Sequence, residues 1–143
     1  MHRFEHTETI PGVTAEQAFA YITDPSKASR WLSSAKEVRA EGEPGVGRVL
    51  VAKASLLGAS FDVRSEVTTW DEPNAYGWAG SQPFHSAFAF TFTDTPEGVV
   101  VHGTAEVDPG KFLPVGGRLL GGRLRKMFEG DVESLAGELR RLA

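Results

Sequence analysis

Residues 90–109 read FTFTDTPEGVVVHGTAEVDP. Phe90 and Phe92 continue an alternation that begins at Ser86. Phe88, Phe90 and Phe92 share one face, and Ala87, Ala89, Thr91 and Thr93 the other. Glu97-Gly98 supplies a hairpin turn. From Val99 to Val107 the alternation resumes, with Val99, Val101, Gly103, Ala105 and Val107 opposite Val100, His102, Thr104 and Glu106. A period of two on both sides of a short turn predicts an antiparallel hairpin with one covered face. The period then changes. Leu120, Leu124, Met127, Phe128, Val132, Leu135, Leu139 and Leu142 recur at steps of three and four. That spacing predicts one amphipathic helix over about 118–142, roughly 37 Å long at 1.5 Å per residue.

Upstream of the hairpin the period of two continues. Strands are expected over Lys36–Glu43, Arg48–Leu57, Ser60–Trp70 and Ala75–Ser81, cut by Pro44-Gly45, Gly58 and Asp71-Glu72-Pro73-Asn74. On the third of the sheet's expected strands, Phe61, Val63, Ser65, Val67 and Thr69 form the inner face. Asp62, Arg64, Glu66 and Thr68 form the outer one. The chain opens with a strand, His2–Ile10, stopped by Pro11-Gly12. Thr14 followed by Gln17 is a capping-box pattern that starts a helix carrying Ala18, Phe19 and Ile22 on one face. Asp24-Pro25 ends that helix, and Ser26–Leu32 forms a shorter one.

The chain has 143 residues, the size of one domain spanning 1–143. Fifteen Lys plus Arg against nineteen Asp plus Glu leave a net charge of −4, which argues against a nucleic-acid partner. Cysteine is absent, so disulfides, thiolate metal sites and cysteine nucleophiles are excluded. No apolar run is long enough to span a membrane, and no basic-then-apolar leader opens the chain. A cytoplasmic protein is therefore expected. Residues 111–143 carry seven basic and four acidic side chains, residues 1–110 eight and fifteen. The final helix thus lies in a field of opposite sign, most simply as a solvated charged face.

The sequence resembles the START/Bet v 1-like (SRPBCC) superfamily, in its bacterial polyketide cyclase/dehydrase and lipid-transport branch. The resemblance is carried by the opening run TETIPGVTAEQAFAYITDPSKASRWL, the GEPGVGR turn, the strand ending TWDEPNAYGW and the FTFTDTPEGVVVHGTAEVDP hairpin. It covers nearly the whole chain. It implies an α+β helix-grip fold: a curved antiparallel sheet of about seven strands wrapped around the long C-terminal helix, with two short helices after strand 1. It also implies a ligand cavity between sheet and helix, entered near the helix N-terminus. Members of the superfamily include aromatases and cyclases, lipid carriers, hormone receptors and co-chaperone domains, so fold does not decide function.

In that architecture the ligand-binding candidates are Trp31, Phe61, Val63, Ser65, Val67, Trp78, Phe88, Phe90, Val101, Leu120, Leu124, Met127 and Phe128. Ser65, Gly103 and Ala105 are small enough to leave space beneath them. Trp31, Trp70 and Tyr76 either rim an opening or fill corners of the core. Gly116, Gly117, Gly121 and Gly122 read as a flexible lid, as a loop ahead of a helix starting near Arg123, or as close packing of backbone on the sheet.

The catalytic candidates are few. Strand parity sends Asp62, Arg64, Glu66, His102 and Glu106 to the outer face. Only His85, in the SQPFHS segment, has a parity left open; turned inward beside Gln82 and Ser86 it is the candidate acid or base. Arg48 and Arg64 reach the cavity only if the register shifts. His102 with Glu106, and His2 with His6, are four residues apart on strands, about 13 Å, too far to share a metal, and read as surface. No metal or cofactor is expected. No HExxH, GxSxG, GxGxxG or P-loop pattern occurs.

The expected function is binding of a small or medium hydrophobic molecule, such as a lipid, polyketide or related metabolite. The alternatives are a polyketide cyclase, aromatase or dehydratase acting in the same cavity, and a co-chaperone-like interaction domain. The sequence leaves the oligomeric state open.

Overall fold

The computed structural model describes residues 1–110 and 117–143. Its elements are β1 (His2–Ile10), α1 (Ala15–Ile22), a short 3-10 helix (Pro25–Arg30), β2 (Ala35–Glu41), β3 (Val49–Leu56), β4 (Ala59–Asp71), β5 (Ala75–Gln82), β6 (His85–Thr95), β7 (Gly98–Asp108) and α2 (Gly117–Arg140). The strands form one seven-stranded antiparallel sheet in the order β1-β7-β6-β5-β4-β3-β2. Each strand after β1 pairs with its sequence neighbour, and β1 closes onto β7. This is the helix-grip arrangement, with α2 lying on the concave face of the sheet.

The curvature has local causes. The β2–β3 ladder slips between Lys36 and Arg39, and the β4–β5 ladder slips twice, between Arg64 and Glu66 and between Val67 and Thr69. Each extra residue bends its strand and increases the local twist. The second β4 slip corrects one expected assignment. Inward parity holds through Phe61, Val63, Ser65 and Val67, but Thr68 and Thr69 are both exposed. Trp70 then turns inward and meets the Phe19 ring edge-on at 5.2 Å.

The Thr14 capping box forms as expected. The Gln17 N–H donates to Thr14 Oγ1 at 3.2 Å, and the Thr14 N–H donates to Gln17 Oε1 at 3.0 Å. Asp94, at the end of the quoted hairpin's first strand, accepts the Ala15 N–H at 2.8 Å and so fixes α1 over the sheet. Asp24 caps the 3-10 helix by accepting the Ser26 N–H at 3.0 Å.

α2 starts at Gly117 and runs through Gly121 and Gly122, ahead of the start near Arg123. Gly116 lies outside the described residues. A Cβ on Gly121 would come within 3.1 Å of His2 Nδ1, so the bare glycine lets helix and strand approach closely there. β1 presents His2, Phe4, His6, Glu8 and Ile10 toward the helix side, where all are buried or half-buried. The surface reading of His2 and His6 is therefore corrected: an even parity shared with buried Phe4 and Ile10 carries both toward α2. The deepest side chains are Phe19, Phe90, Phe92, Ile10, Leu135 and Leu139. No described helix is long and apolar enough to cross a membrane.

Candidate functional site: a cavity between sheet and helix

Behind this aromatic core, toward β2 and β3, the curved sheet and α2 stay apart. The space is a cavity of about 180 Å³. Its walls are the inner faces of β2 to β7, Phe4 of β1, one side of α2 and the 3-10 helix with its flanks. Of the expected ligand-binding residues, Trp31, Phe61, Val63, Ser65, Trp78, Phe88, Phe90, Leu124, Met127 and Phe128 stand on its wall. Val67, Val101 and Leu120 do not. All three are at most 3% exposed and belong to the packed core instead.

Aromatic rings make one end rigid. Trp31 meets Phe90 edge-on at 5.7 Å and Trp78 at 6.5 Å, and Trp78 stacks on Phe88 at 5.2 Å and Phe90 at 5.9 Å. Trp31 and Tyr76 are buried and line the cavity, whereas Trp70 fills a corner against Phe19 and Tyr76. Of the three small inner-face residues, Ser65 and Ala105 open onto the space. Gly103 does not, because the Phe90 ring lies over it: a Cβ there would be 2.7 Å from Phe90 Cε1.

Several wall residues escaped the sequence reading. Leu50, Ala52, Ala54 and Leu56 come from the inward parity of β3. Ile22, Thr23, Pro25 and Ala28 come from the α1 end and the 3-10 helix. The most consequential is Asp131, on the helix wall. It falls on the α2 stripe, four residues after Met127 and four before Leu135, so its place among apolar residues was legible from spacing alone.

Asp131 is 8% exposed. Its Oδ1 accepts the Ser33 N–H at 3.1 Å. Burial raises its pKa above the ordinary carboxylate value, against the opposing pull of hydrogen bonds from Ser33. Tyr76 is the other titratable group on the wall. Burial pushes its pKa up to about 12, with the Arg48 charge acting in the opposite direction, so its hydroxyl stays neutral at physiological pH.

His85 lies elsewhere. It is the first residue of β6, opposite Asp108 of β7, and shares its parity with exposed Ala89 and Thr91. Its Nε2 is 3.7 Å from Glu106 Oε2 on the outer face. The inward turn required of a catalytic histidine is thus not made: β6 starts one residue earlier than the alternation indicated, and parity then carries His85 outward. His102 and Glu106 share that outer face; His102 bonds Thr7 Oγ1 at 2.7 Å and lies 3.6 Å from Glu5. Arg64 is also outside, 3.4 Å from Glu41. Arg48 precedes β3 with the parity of Leu50, and its guanidinium acts on Tyr76 from beyond the cavity wall.

His6, Glu8 and Glu133 bring one potential metal-ligand atom each within 4.8 Å of one another, between β1 and α2. Within it His6 Nε2 and Glu8 Oε1 are 3.0 Å apart, and the Arg140 guanidinium lies 3.9 Å from Glu8.

Several solved structures share the fold. A START superfamily protein from Mycobacterium smegmatis superposes with a TM-score of 0.79 at 18% identity, over 100% of both chains. A conserved protein from Geobacillus kaustophilus gives 0.74 at 22% identity, over 96% of this chain and 94% of its own. Ara h 8.0201 gives 0.71 at 16% identity, over 96% and 97%. At such identities the likeness concerns the fold alone. No curated protein matches the sequence. The family model described as polyketide cyclase / dehydrase and lipid transport matches residues 1–143, and the chain belongs to that family.

Proposed function

We propose that this protein binds a small hydrophobic molecule between its sheet and α2. The observation that carries this reading is the apolar, aromatic-walled cavity of about 180 Å³. A hydrocarbon-lined cavity of about 150 Å³ holds benzene, so the natural guest has one or two rings or a short branched chain. Burial of apolar surface supplies the affinity, at about 25 cal/mol per Å² before ordering costs. The cysteine-free composition is in keeping with work in the cytoplasm.

A second reading, a cyclase or dehydratase, is favoured by Asp131. It is a buried wall carboxyl with a raised pKa, the kind of group that moves protons in a dry site. The co-chaperone-like reading needs a broad exposed apolar patch. The large exposed apolar residues among those described are Met1, Val46, Leu119 and Leu142, single side chains rather than a face.

The test is native mass spectrometry of protein purified from its own host, followed by solvent extraction. A discrete small apolar metabolite, recovered unchanged, is the expected result. Protein that arrives empty and takes up none of a panel of one- and two-ring apolar compounds overturns the reading.

A further inference from the structure

Hydroxyls of Thr23, Ser34, Ser65, Tyr76 and Ser86 interrupt the apolar wall, and so do two groups of another kind, the Trp31 indole and the Asp131 carboxyl. The Trp31 side chain is 3% exposed, and its indole N–H finds no acceptor among the described residues. Asp131 faces the same cavity. The two are tied together: Ser33, two residues beyond Trp31, donates its backbone N–H to Asp131 Oδ1. None of the ion pairs among the described residues involves Asp131.

A buried donor without a partner is costly, and so is a buried carboxyl without a cation. A tryptophan can only donate, whereas an ionised carboxylate can only accept. One ligand group satisfies both, because a hydroxyl accepts through its lone pairs and donates through its hydrogen. An ammonium would pair with Asp131 but leave the indole N–H without an acceptor. A carboxylate would satisfy the indole but meet Asp131 as a like charge. A plain hydrocarbon would satisfy neither.

Building on the proposed cavity function, we propose that the ligand is a neutral apolar alcohol or phenol whose hydroxyl sits at the Trp31–Asp131 corner, accepting from the indole N–H and donating to the carboxylate. The rings or chain of the ligand lie against Trp78, Phe88 and Phe128.

Calorimetric titration with three probes of one shape tests this: 2-naphthol, naphthalene and protonated 2-naphthylmethylamine. The protein is used as wild type, Trp31→Phe and Asp131→Asn. One or two added hydrogen bonds correspond to about tenfold in affinity. The wild type is therefore expected to bind 2-naphthol about tenfold more tightly than naphthalene, and the amine most weakly. Trp31→Phe, shown to be folded by its thermal melt, is read by the naphthol-to-naphthalene ratio, which is expected to fall close to one whatever the change in overall affinity. Asp131→Asn narrows the preference by removing the charge from the acceptor. Equal binding of naphthol and naphthalene by the wild type overturns the inference, as does tightest binding of the amine, or a naphthol preference that survives both substitutions. Failure of all three probes to bind overturns the cavity function as well, so the two failures are distinguishable.

Discussion

Asp131 lies on the α2 stripe where a leucine would cause no comment. Its folded-state pKa is raised by burial. A raised carboxyl pKa means that the native state binds the proton more tightly than the unfolded chain does. Its contribution to stability is complete below the unfolded value of about 3.8 and is lost as pH rises through the folded value. Asp131→Asn removes the charge and keeps an acceptor for the Ser33 N–H. The variant is expected to melt a few degrees above wild type at mildly alkaline pH, with the gain vanishing in acid; thermal melts across pH check this. Gly103 makes a second prediction at this scale. Adding a methyl there drives the Phe90 ring off its seat, and Gly103→Ala is expected to cost about 1–3 kcal/mol in denaturant titration. Residue-scale legibility was uneven. The spacing of Asp131 could be read from the sequence. The outward turn of His85 could not, because it depends on whether β6 includes that residue, and parity is fixed only within the strand.

Among the elements, α2 contributes most to the core that is not supplied by the sheet. Leu135 and Leu139 are fully buried on it. Leu135→Ala is expected to destabilise by about 2–5 kcal/mol, as read by chemical denaturation. Gly130 is the opposite case: it is exposed, and a Cβ there meets nothing within 4 Å. Gly130→Ala is expected to stabilise by about 1 kcal/mol through helix propensity alone. The elements themselves were legible, because periods of two and of three-to-four are strong signals wherever one face is buried. The β4 bulge was not, since the slip at Val67–Thr69 leaves no mark in a run of β-branched residues. The contribution of β3 to the cavity was also missed. Ala52 and Ala54 are too small to stand out as an apolar stripe, and their smallness is what leaves the cavity room.

For the molecule as a whole, family membership and the strand order go together: a sheet bent by bulges around one long helix encloses space wherever its inner side chains are small. That conclusion was available from the sequence through the succession of periods, from the opening strand to the final helix, read together with what the resemblance implies. The size of the enclosed space was not, because it depends on which aromatic rings fold over which small residues, as Phe90 does over Gly103. The most direct measurement is diffraction from crystals pressurised with xenon, grown from protein refolded out of denaturant to strip any guest. Dry apolar cavities take up xenon. A xenon site inside the sheet, ringed by Trp31, Phe90, Leu124 and Phe128, is the predicted result. An interior without xenon, with those side chains closed upon one another, would contradict it.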